Sequence, residues 1–279
     1  MLISEVFGYG VDNLSDEAKG ARIARFCRFR ASPCTKSNKK DPLGVCSLSD
    51  GSFAASLCPV RFLEGSRIFV DAARIAFGPG VEVGLFPEVR VLKVEAEAEK
   101  RDRKIGKVDF LLGLIRDSKI IDFAALEVQA VYFSGGEIRT PMRNFIESGI
   151  LDHRISDRRP DFRSSAQKRL IPQLQLKVPV FRRWGKKFFV VVDTQFLGAL
   201  PKFPTTTEAN SEVTWLSYPI QKSGNDYQMQ ECQVVFSQWD DVQNALREGT
   251  APDPSEILSE LQAKLAWPVS RRPKVISTG

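Results

Sequence analysis

Histidine is almost missing from this chain of 279 residues, which contains only His153. Catalytic triads and most catalytic zinc sites use the imidazole of one or more histidines. A single histidine therefore argues against histidine-based chemistry of any kind. Carboxylates, thiols and basic side chains remain as the candidates for function.

Long apolar runs are missing as well. No stretch approaches the roughly 18 apolar residues that predict a membrane-spanning helix. The first residues, MLISE, lack the basic region and apolar core of a secretory signal, and no internal repeat is visible. These absences favour a globular cytoplasmic protein with one large domain, or with one domain and a small module.

Two apolar stretches, 108–115 and 120–132, flank a charged turn at 116–119. Both are too short for a helix pair, so they predict a hairpin of two largely buried strands. Asp109 and Glu127 interrupt these apolar stretches. An unpaired buried carboxylate is costly, so a cation is expected beside it. Two carboxylates on adjacent strands form an oxygen site suited to Mg²⁺, unless both acids are strand ends that point at solvent.

Four of the five cysteines lie within residues 22–62 and are separated by six, eleven and eleven residues: Cys27, Cys34, Cys46 and Cys58. Several turn signals make this block loop-rich, so it buries little core alone. In a cytoplasmic protein such cysteines indicate a metal site, with zinc or iron as the thiophilic ion. There is no tight CxxC pair, so buried free thiols or disulfides stay open as alternatives. Cys232 is expected to pack in a strand.

Positive charge is concentrated in one segment. The chain has a net charge of +6, and residues 154–187 hold eleven lysines and arginines against two aspartates. A local positive field of this kind suits a polyanion such as nucleic acid, although a solvated basic face is the alternative. The candidates for contacts with phosphates and bases are Arg158, Arg159, Arg163, Lys168, Arg169 and Gln173.

Hydrophobic periodicity and helix-breaking residues predict where the remaining helices and strands lie. Helices are predicted at 65–77, 164–177, 239–247 and 255–265. In the second helix we expect Ser164 as cap and a kink at Pro172. Further strands are predicted at 187–193, 213–220 and 227–236, residues 137–162 look irregular, and residues 1–20 carry no strong signal. Together with the hairpin, these elements predict a mixed α/β core with one sheet.

The order Asp109, then Glu127-Val128-Gln129, resembles the PD-(D/E)xK nuclease superfamily, in which an Asp on one strand precedes acid-x-Lys on the next. Gln129 stands at the lysine position, as it does in type II restriction endonucleases of the NotI type. Residues 25–200 are similar to that family through the four-cysteine block and the later phrases RPDFRSS and KRLIPQL.

The resemblance implies a nuclease core with a mixed central sheet flanked by helices, plus a loop-rich four-cysteine metal-binding module. We expect the module at 20–63, the nuclease domain at 64–267, with the DNA-reading segment 154–187 inside it, and a flexible tail at 268–279. The resemblance further implies a homodimer that cuts a GC-rich palindrome in duplex DNA, with iron or zinc held by the four cysteines.

In this interpretation Asp109 and Glu127 hold Mg²⁺, with the backbone carbonyl of Val128 as a third ligand. Glu88 is the preferred additional carboxylate and Glu95 its competitor. Gln129 is neutral and can only hydrogen-bond to water or phosphate, so a cation arrives from elsewhere or the metal carries more of the charge.

Two other functions remain open from the sequence. One is a non-catalytic DNA-binding protein with a structural four-cysteine metal. The other is a defence or repair nuclease that acts on modified or damaged DNA. Mg²⁺-dependent nicking and a carboxylate pair on adjacent strands separate the first of these from a restriction endonuclease.

Overall fold

The computed structural model describes seven stretches of the chain: residues 1–36, 42–94, 103–134, 138–151, 159–247, 253–268 and 270–274. Contacts divide the chain into two compact units, Met1–Ala245 and Leu246–Gly279. The cysteines and the predicted acidic pair both lie in the first unit. The boundary expected between residues 63 and 64 stays a prediction.

The strands in the described part are short, apart from three consecutive long strands between residues 82 and 128. They are β1 (Leu2–Val6), β2 (Tyr9–Gly10), β3 (Phe26–Cys27), β4 (Ser32–Pro33), β5 (Val45–Ser49), β6 (Ala54–Ser56), β7 (Glu82–Val94), β8 (Arg103–Arg116), β9 (Lys119–Val128), β10 (Tyr132–Ser134), β11 (Arg159–Asp161), β12 (Phe188–Asp193), β13 (Val213–Tyr218), β14 (Ile220–Ser223), β15 (Asp226–Met229) and β16 (Gln233–Ser237).

The helices are α1 (Asp16–Ala24), α2 (Arg67–Phe77), α3 (Arg139–Ser148), α4 (Phe162–Ser165), α5 (Ile171–Arg183), α6 (Thr194–Ala199), α7 (Trp239–Arg247) and α8 (Pro254–Leu265). Short 3₁₀ segments cover Pro59–Ser66 and Glu208–Asn210. A π-helical turn, Ala166–Leu170, joins α4 to α5. Helices predicted at 65–77, 239–247 and 255–265 are therefore confirmed to within two residues at either end.

A six-stranded sheet forms the centre, in the order β16-β13-β12-β9-β8-β7. Strand β9 pairs antiparallel with β8 and parallel with β12, and β13 continues the parallel part. The sheet is therefore mixed, and helices flank it as the sequence predicts. The predicted hairpin is β8–β9, and its turn at Asp117 and Ser118 has positive φ at both residues, as a two-residue hairpin turn requires.

The two faces of β9 pack against different helices. Leu126 and Val128 lie in a core cluster with Ile68 and Phe69 of α2. Because side chains alternate along a strand, Glu127 belongs to the opposite face. That face is covered by α5, whose Phe181 ring contacts Phe188 on the neighbouring strand at 5.3 Å between centroids. Glu127 is therefore a carboxylate between a sheet and a helix.

A second sheet, in the order β2-β1-β5-β6, holds the cysteine block against the main sheet. The Ser56 N–H donates to Asp193 Oδ2 at 2.9 Å, and the Val131 N–H donates to the Ser56 carbonyl at 2.7 Å. Arg61 in the 3₁₀ segment donates from Nε to Glu5 Oε2 of β1 at 2.9 Å, and both side chains are fully buried. These contacts place the cysteines beside the end of β9.

Several expectations are wrong in detail. Helix α3 lies within the region predicted to be irregular, where Met142 and Phe145 supply a buried face three residues apart. The predicted strand 227–236 is two strands, β15 and β16, in different sheets. The cap before α4 is Asp161, which accepts from the Ser164 N–H at 2.9 Å, so Ser164 is not the cap. Pro172 lies in the first turn of α5, after the π-helical turn.

The second unit contains helix α8, capped by Asp253, which accepts from the Ser255 N–H at 2.8 Å. Its apolar side chains are exposed in this structure. Across the residues that the structure describes, no helix has both the length and the apolar character needed to cross a membrane.

Candidate active site

Asp109 and Glu127 meet at the open end of the β8–β9 hairpin. The register pairs Phe110 with Leu126, so one step further along the ladder Asp109 stands opposite Glu127. Opposed residues of an antiparallel pair share a face. The Val128 N–H donates to Asp109 Oδ2 at 2.9 Å, which holds this carboxylate at the strand end. The two acids therefore lie on one face of the sheet.

Glu127 is almost completely buried, with 3% of its surface exposed. The pKa of Glu127 is raised to about 7, because burial and the neighbouring Asp109 carboxylate raise it more than the opposing effect of Lys177 lowers it. Lys177 Nζ donates to Glu127 Oε1 at 2.5 Å. A carboxylate placed between a second acid and a lysine in a water-poor site has strong electrostatic interactions with both.

Lys177 is the residue that the sequence analysis missed. It lies in α5, fifty positions after Glu127, and only 4% of its surface is exposed. A signal was present, because a lysine on the apolar face of α5, one residue before the buried Val178, needs a buried partner. The sequence does predict a cation beside the acidic pair, and the structure identifies it.

Gln129 follows the strand and keeps its ladder position, since its N–H donates to the Val191 carbonyl at 2.9 Å. Its side-chain Nε2 donates to the Ala130 carbonyl at 2.7 Å. In this arrangement the amide nitrogen is engaged by its own backbone. Gln129 therefore contributes no charge to the acidic pair.

Glu88, the preferred third carboxylate, is exposed and accepts from Lys107 Nζ at 2.8 Å. This hydrogen bond lowers the pKa of Glu88. Glu88 has a φ of 58°, a left-handed conformation that is unusual for glutamate. Its role as a metal ligand stays a prediction, and Glu95 lies outside the described residues.

A cavity of about 770 Å³ opens in front of the acidic pair. Asp109, Gln129 and Glu88 line it from the hairpin side. Three cysteines line it as well: Cys27, Cys34 and Cys58. Arg169 and Gln173, two of the predicted DNA contacts, also belong to its wall. Acids, thiols and part of the basic segment thus face one space.

All four cysteines of the block are buried and free. Burial raises the pKa of the Cys27 and Cys34 thiols, and the proximity of Cys58 adds to both shifts. Cys46 Sγ donates to the Gly44 carbonyl at 3.3 Å. Among the described residues no three His, Cys, Asp or Glu side chains are gathered as a ready ligand set. The thiols are neighbours, and the four-cysteine metal site stays a prediction.

Cys232 packs at the edge of the core cluster of α2 and the sheet. This position confirms that Cys232 is a packing residue, although it lies between β15 and β16 and not in a strand as expected.

The predicted DNA-contacting residues that the structure describes are all exposed: Arg159, Arg163, Lys168, Arg169 and Gln173. Arg169 lies over the Tyr132 ring, with its guanidinium carbon 3.5 Å from the ring centroid. This stacking holds the guanidinium at the cavity wall. Arg158 lies outside the described residues.

An acidic pair beside a cavity, with exposed arginine and lysine side chains at its wall, is typical of enzymes that act on nucleic acid phosphates. The family model described as restriction endonuclease NotI matches residues 5–230. The chain therefore belongs to the NotI restriction endonuclease family. It is a type II restriction endonuclease, a site-specific deoxyribonuclease. This sets aside the alternative of a non-catalytic DNA-binding protein.

A search of curated proteins found no match for this chain. Residues 231–279 lie beyond the range that the family model matches.

Proposed function

We propose that the protein cleaves duplex DNA in a Mg²⁺-dependent reaction for which Asp109 and Glu127 hold the ion. The single observation that carries this proposal is the placement of both carboxylates on one face of the hairpin, with Asp109 in the wall of the cavity. The backbone carbonyl of Val128 and the carboxylate of Glu88 complete the proposed ligand set.

The chemistry of the pair supports a divalent cation. Two adjacent carboxylates repel each other, and this repulsion adds to the raised pKa of Glu127. An ion of charge two relieves that repulsion, and oxygen donors are the ligands that Mg²⁺ prefers. When bound, Mg²⁺ supplies Lewis-acid stabilisation and lowers the pKa of bound water.

The chain's own residues have the remaining tasks. Asp109, fixed by the Val128 N–H, and Glu127, fixed by Lys177, orient the ligand oxygens. Gln129 hydrogen-bonds the attacking water or a phosphate oxygen once its amide leaves the Ala130 carbonyl. Lys168 and Arg169 neutralise phosphates beside the cut.

A second metal, zinc or iron, is proposed for Cys27, Cys34, Cys46 and Cys58. The donor set supports it, because four buried thiols in one neighbourhood match the ligand preference of thiophilic ions. Its task is structural and places the thiol side of the cavity against the DNA.

The proposed substrate is a GC-rich palindrome in the cytoplasm, read by a homodimer. A two-fold dimer presents two identical readers to two identical half-sites. Arginines such as Arg159 and Arg163 suit guanine, because a guanidinium donates to guanine O6 and N7 together. Sedimentation of the protein on a duplex carrying its site should give two chains per duplex, and one chain with single-strand nicking would contradict the dimer.

Cleavage itself is tested by incubating purified protein with phage DNA and Mg²⁺ and sequencing the ends. A single recurrent palindrome at the ends, lost when EDTA replaces Mg²⁺, is the expected result. Cleavage that persists in EDTA, or ends without a common sequence, would overturn the proposal.

A further inference from the structure

A buried lysine on helix α5 is the unexpected feature of the candidate active site. Gln129 is neutral, whereas Asp109 and Glu127 together bring two negative charges to the place where a phosphate must approach. Lys177 Nζ lies 2.5 Å from Glu127 Oε1 and 3.2 Å from Gln173 Oε1. Gln173 and Gln129 both line the cavity, so the ammonium lies directly behind its wall.

We propose that Lys177 is a positioning residue of the cleavage reaction, which provides from helix α5 the positive charge that position 129 of the strand lacks. This inference rests on the proposed function of the Asp109–Glu127 pair. Lys177 acts through Glu127, because its ammonium holds Glu127 Oε1 in place beside Asp109.

The contact between Glu127 and Lys177 is energetically important because both side chains are buried. Glu127 and Lys177 are 3% and 4% exposed, so water screens their interaction little. A buried carboxylate without a partner is strongly unfavourable and takes up a proton instead. Lys177 therefore offsets the cost of burying this carboxylate and fixes the position of Glu127 Oε1.

The geometry also allows Lys177 to take the place of a lysine side chain at position 129. Glu127 and Gln129 are two residues apart on an extended chain, so their side chains leave the same face. A lysine at either position 129 or position 177 can therefore bring an ammonium to the same carboxylate. The two positions should be interchangeable as sources of charge.

Three variants test this: Lys177→Met, the double variant Gln129→Lys/Lys177→Met, and the control Asp122→Asn. The control breaks another lysine–carboxylate pair on β9, Lys186 Nζ to Asp122 Oδ1 at 2.5 Å, at the far end of the strand. Each protein is assayed for single-turnover cleavage in Mg²⁺ of a duplex carrying the mapped site, for binding of that duplex without metal, and for thermal unfolding.

The Lys177→Met variant should cleave at least about 10²-fold more slowly, as expected when one preorganised electrostatic contact is removed. Its metal-free DNA affinity should stay within about twofold, because a buried ammonium makes no phosphate contact. The double variant should regain at least about tenfold in rate, and Asp122→Asn should cleave normally.

Three results would overturn the proposal: near-normal cleavage by Lys177→Met, a folded and DNA-binding double variant that stays inactive, or a double variant that does not fold. The second result would show that position 129 cannot supply the charge in place of Lys177, and the third would make Lys177 a packing residue. If Lys177→Met alone fails to fold, the rate of the double variant decides the matter. Asp109→Asn and Glu127→Gln separate this idea from the proposed function, because normal cleavage by those variants would contradict the acidic pair itself.

Discussion

The cavity has an oxygen side and a sulfur side, and they are built differently. On the oxygen side, Asp109 and Gln129 are placed by a continuous six-stranded sheet whose register sets their facing. On the sulfur side, Cys27 and Cys34 belong to or follow two-residue strands, held by turns and single backbone hydrogen bonds. The sheet fixes the side chains of the oxygen side, whereas we expect the sulfur side to depend on a bound metal for its shape.

The largest difference between the two sides should appear when Glu127, the buried acid of the oxygen side, is replaced. Glu127→Ala should reduce cleavage in Mg²⁺ by at least about 10³-fold, since a proposed ligand and its charge are lost. The variant should be less stable, because the buried Lys177 loses its partner, but the sheet should still form and the variant should still bind its DNA in a gel-shift assay. A variant that cuts normally would leave the hairpin without a catalytic role.

The two sides should also differ in their response to pH. The folded-state pKa of Glu127 is raised from 4.5 to about 7, so its contribution to stability is present below pH 4.5 and is lost as pH rises through 7. Relative to Glu127→Gln, the metal-free protein should lose up to about 3 kcal/mol of unfolding free energy between pH 5 and 8. Urea unfolding at several pH values measures this.

The thiols of Cys27 and Cys34 are not expected to contribute to the pH dependence of unfolding in that experiment. Burial raises the pKa of Cys27 and Cys34 above the usual range of a thiol, so neither should titrate between pH 5 and 8. Parallel curves for the unaltered protein and Glu127→Gln would show that Glu127 has an ordinary pKa and that the oxygen side is not under electrostatic strain.

Replacing one thiol probes the sulfur side. Cys46→Ser keeps a donor for the Gly44 carbonyl, so a mere buried thiol should tolerate it. If the cysteines hold zinc or iron, the variant should lose that metal, at least about 2 kcal/mol of stability and DNA recognition, with the β8–β9 hairpin intact.

Elemental analysis of the unaltered protein should then find about one tightly bound zinc or iron per chain. Cys232→Ser is the matched control, because Cys232 packs away from the block. Absence of metal, or normal cutting by Cys46→Ser, would make the four cysteines ordinary thiols.

The smallest expected effects come from the basic residues at and near the cavity wall. Lys168→Ala should weaken binding to all sequences alike and lower the salt slope of log affinity by about 0.9. Arg169→Ala, at a residue stacked on Tyr132, should have the same effect. A loss of about 1–3 kcal/mol confined to the cognate site would show instead that Arg169 reads guanine. Filter binding at several salt concentrations distinguishes these outcomes. Unchanged affinity and salt slope would show that both residues lie on a solvent-exposed face that does not contact DNA.

The sequence by itself determined the hairpin, its acids and the basic character of one segment. Alternating apolar residues and a turn of two residues predict the hairpin, but the turn alone would pair Asp109 with Leu126. A register shift between Leu114 and Ile115 brings Asp109 opposite Glu127, and this shift belongs to the folded hairpin. The exposed positions of Lys168 and Arg169 agree with that charge pattern as well. Local signals also placed α2, α7 and α8.

Only the tertiary structure decided which groups meet across long sequence separations. Lys177 reaches Glu127 because α5 packs on one face of the sheet, and Ser56 reaches Asp193 because two sheets meet. The split of 227–236 into two strands likewise depends on which neighbours each half pairs with. Burial and partner choice belong to the folded chain as a whole, so no local periodicity contains them.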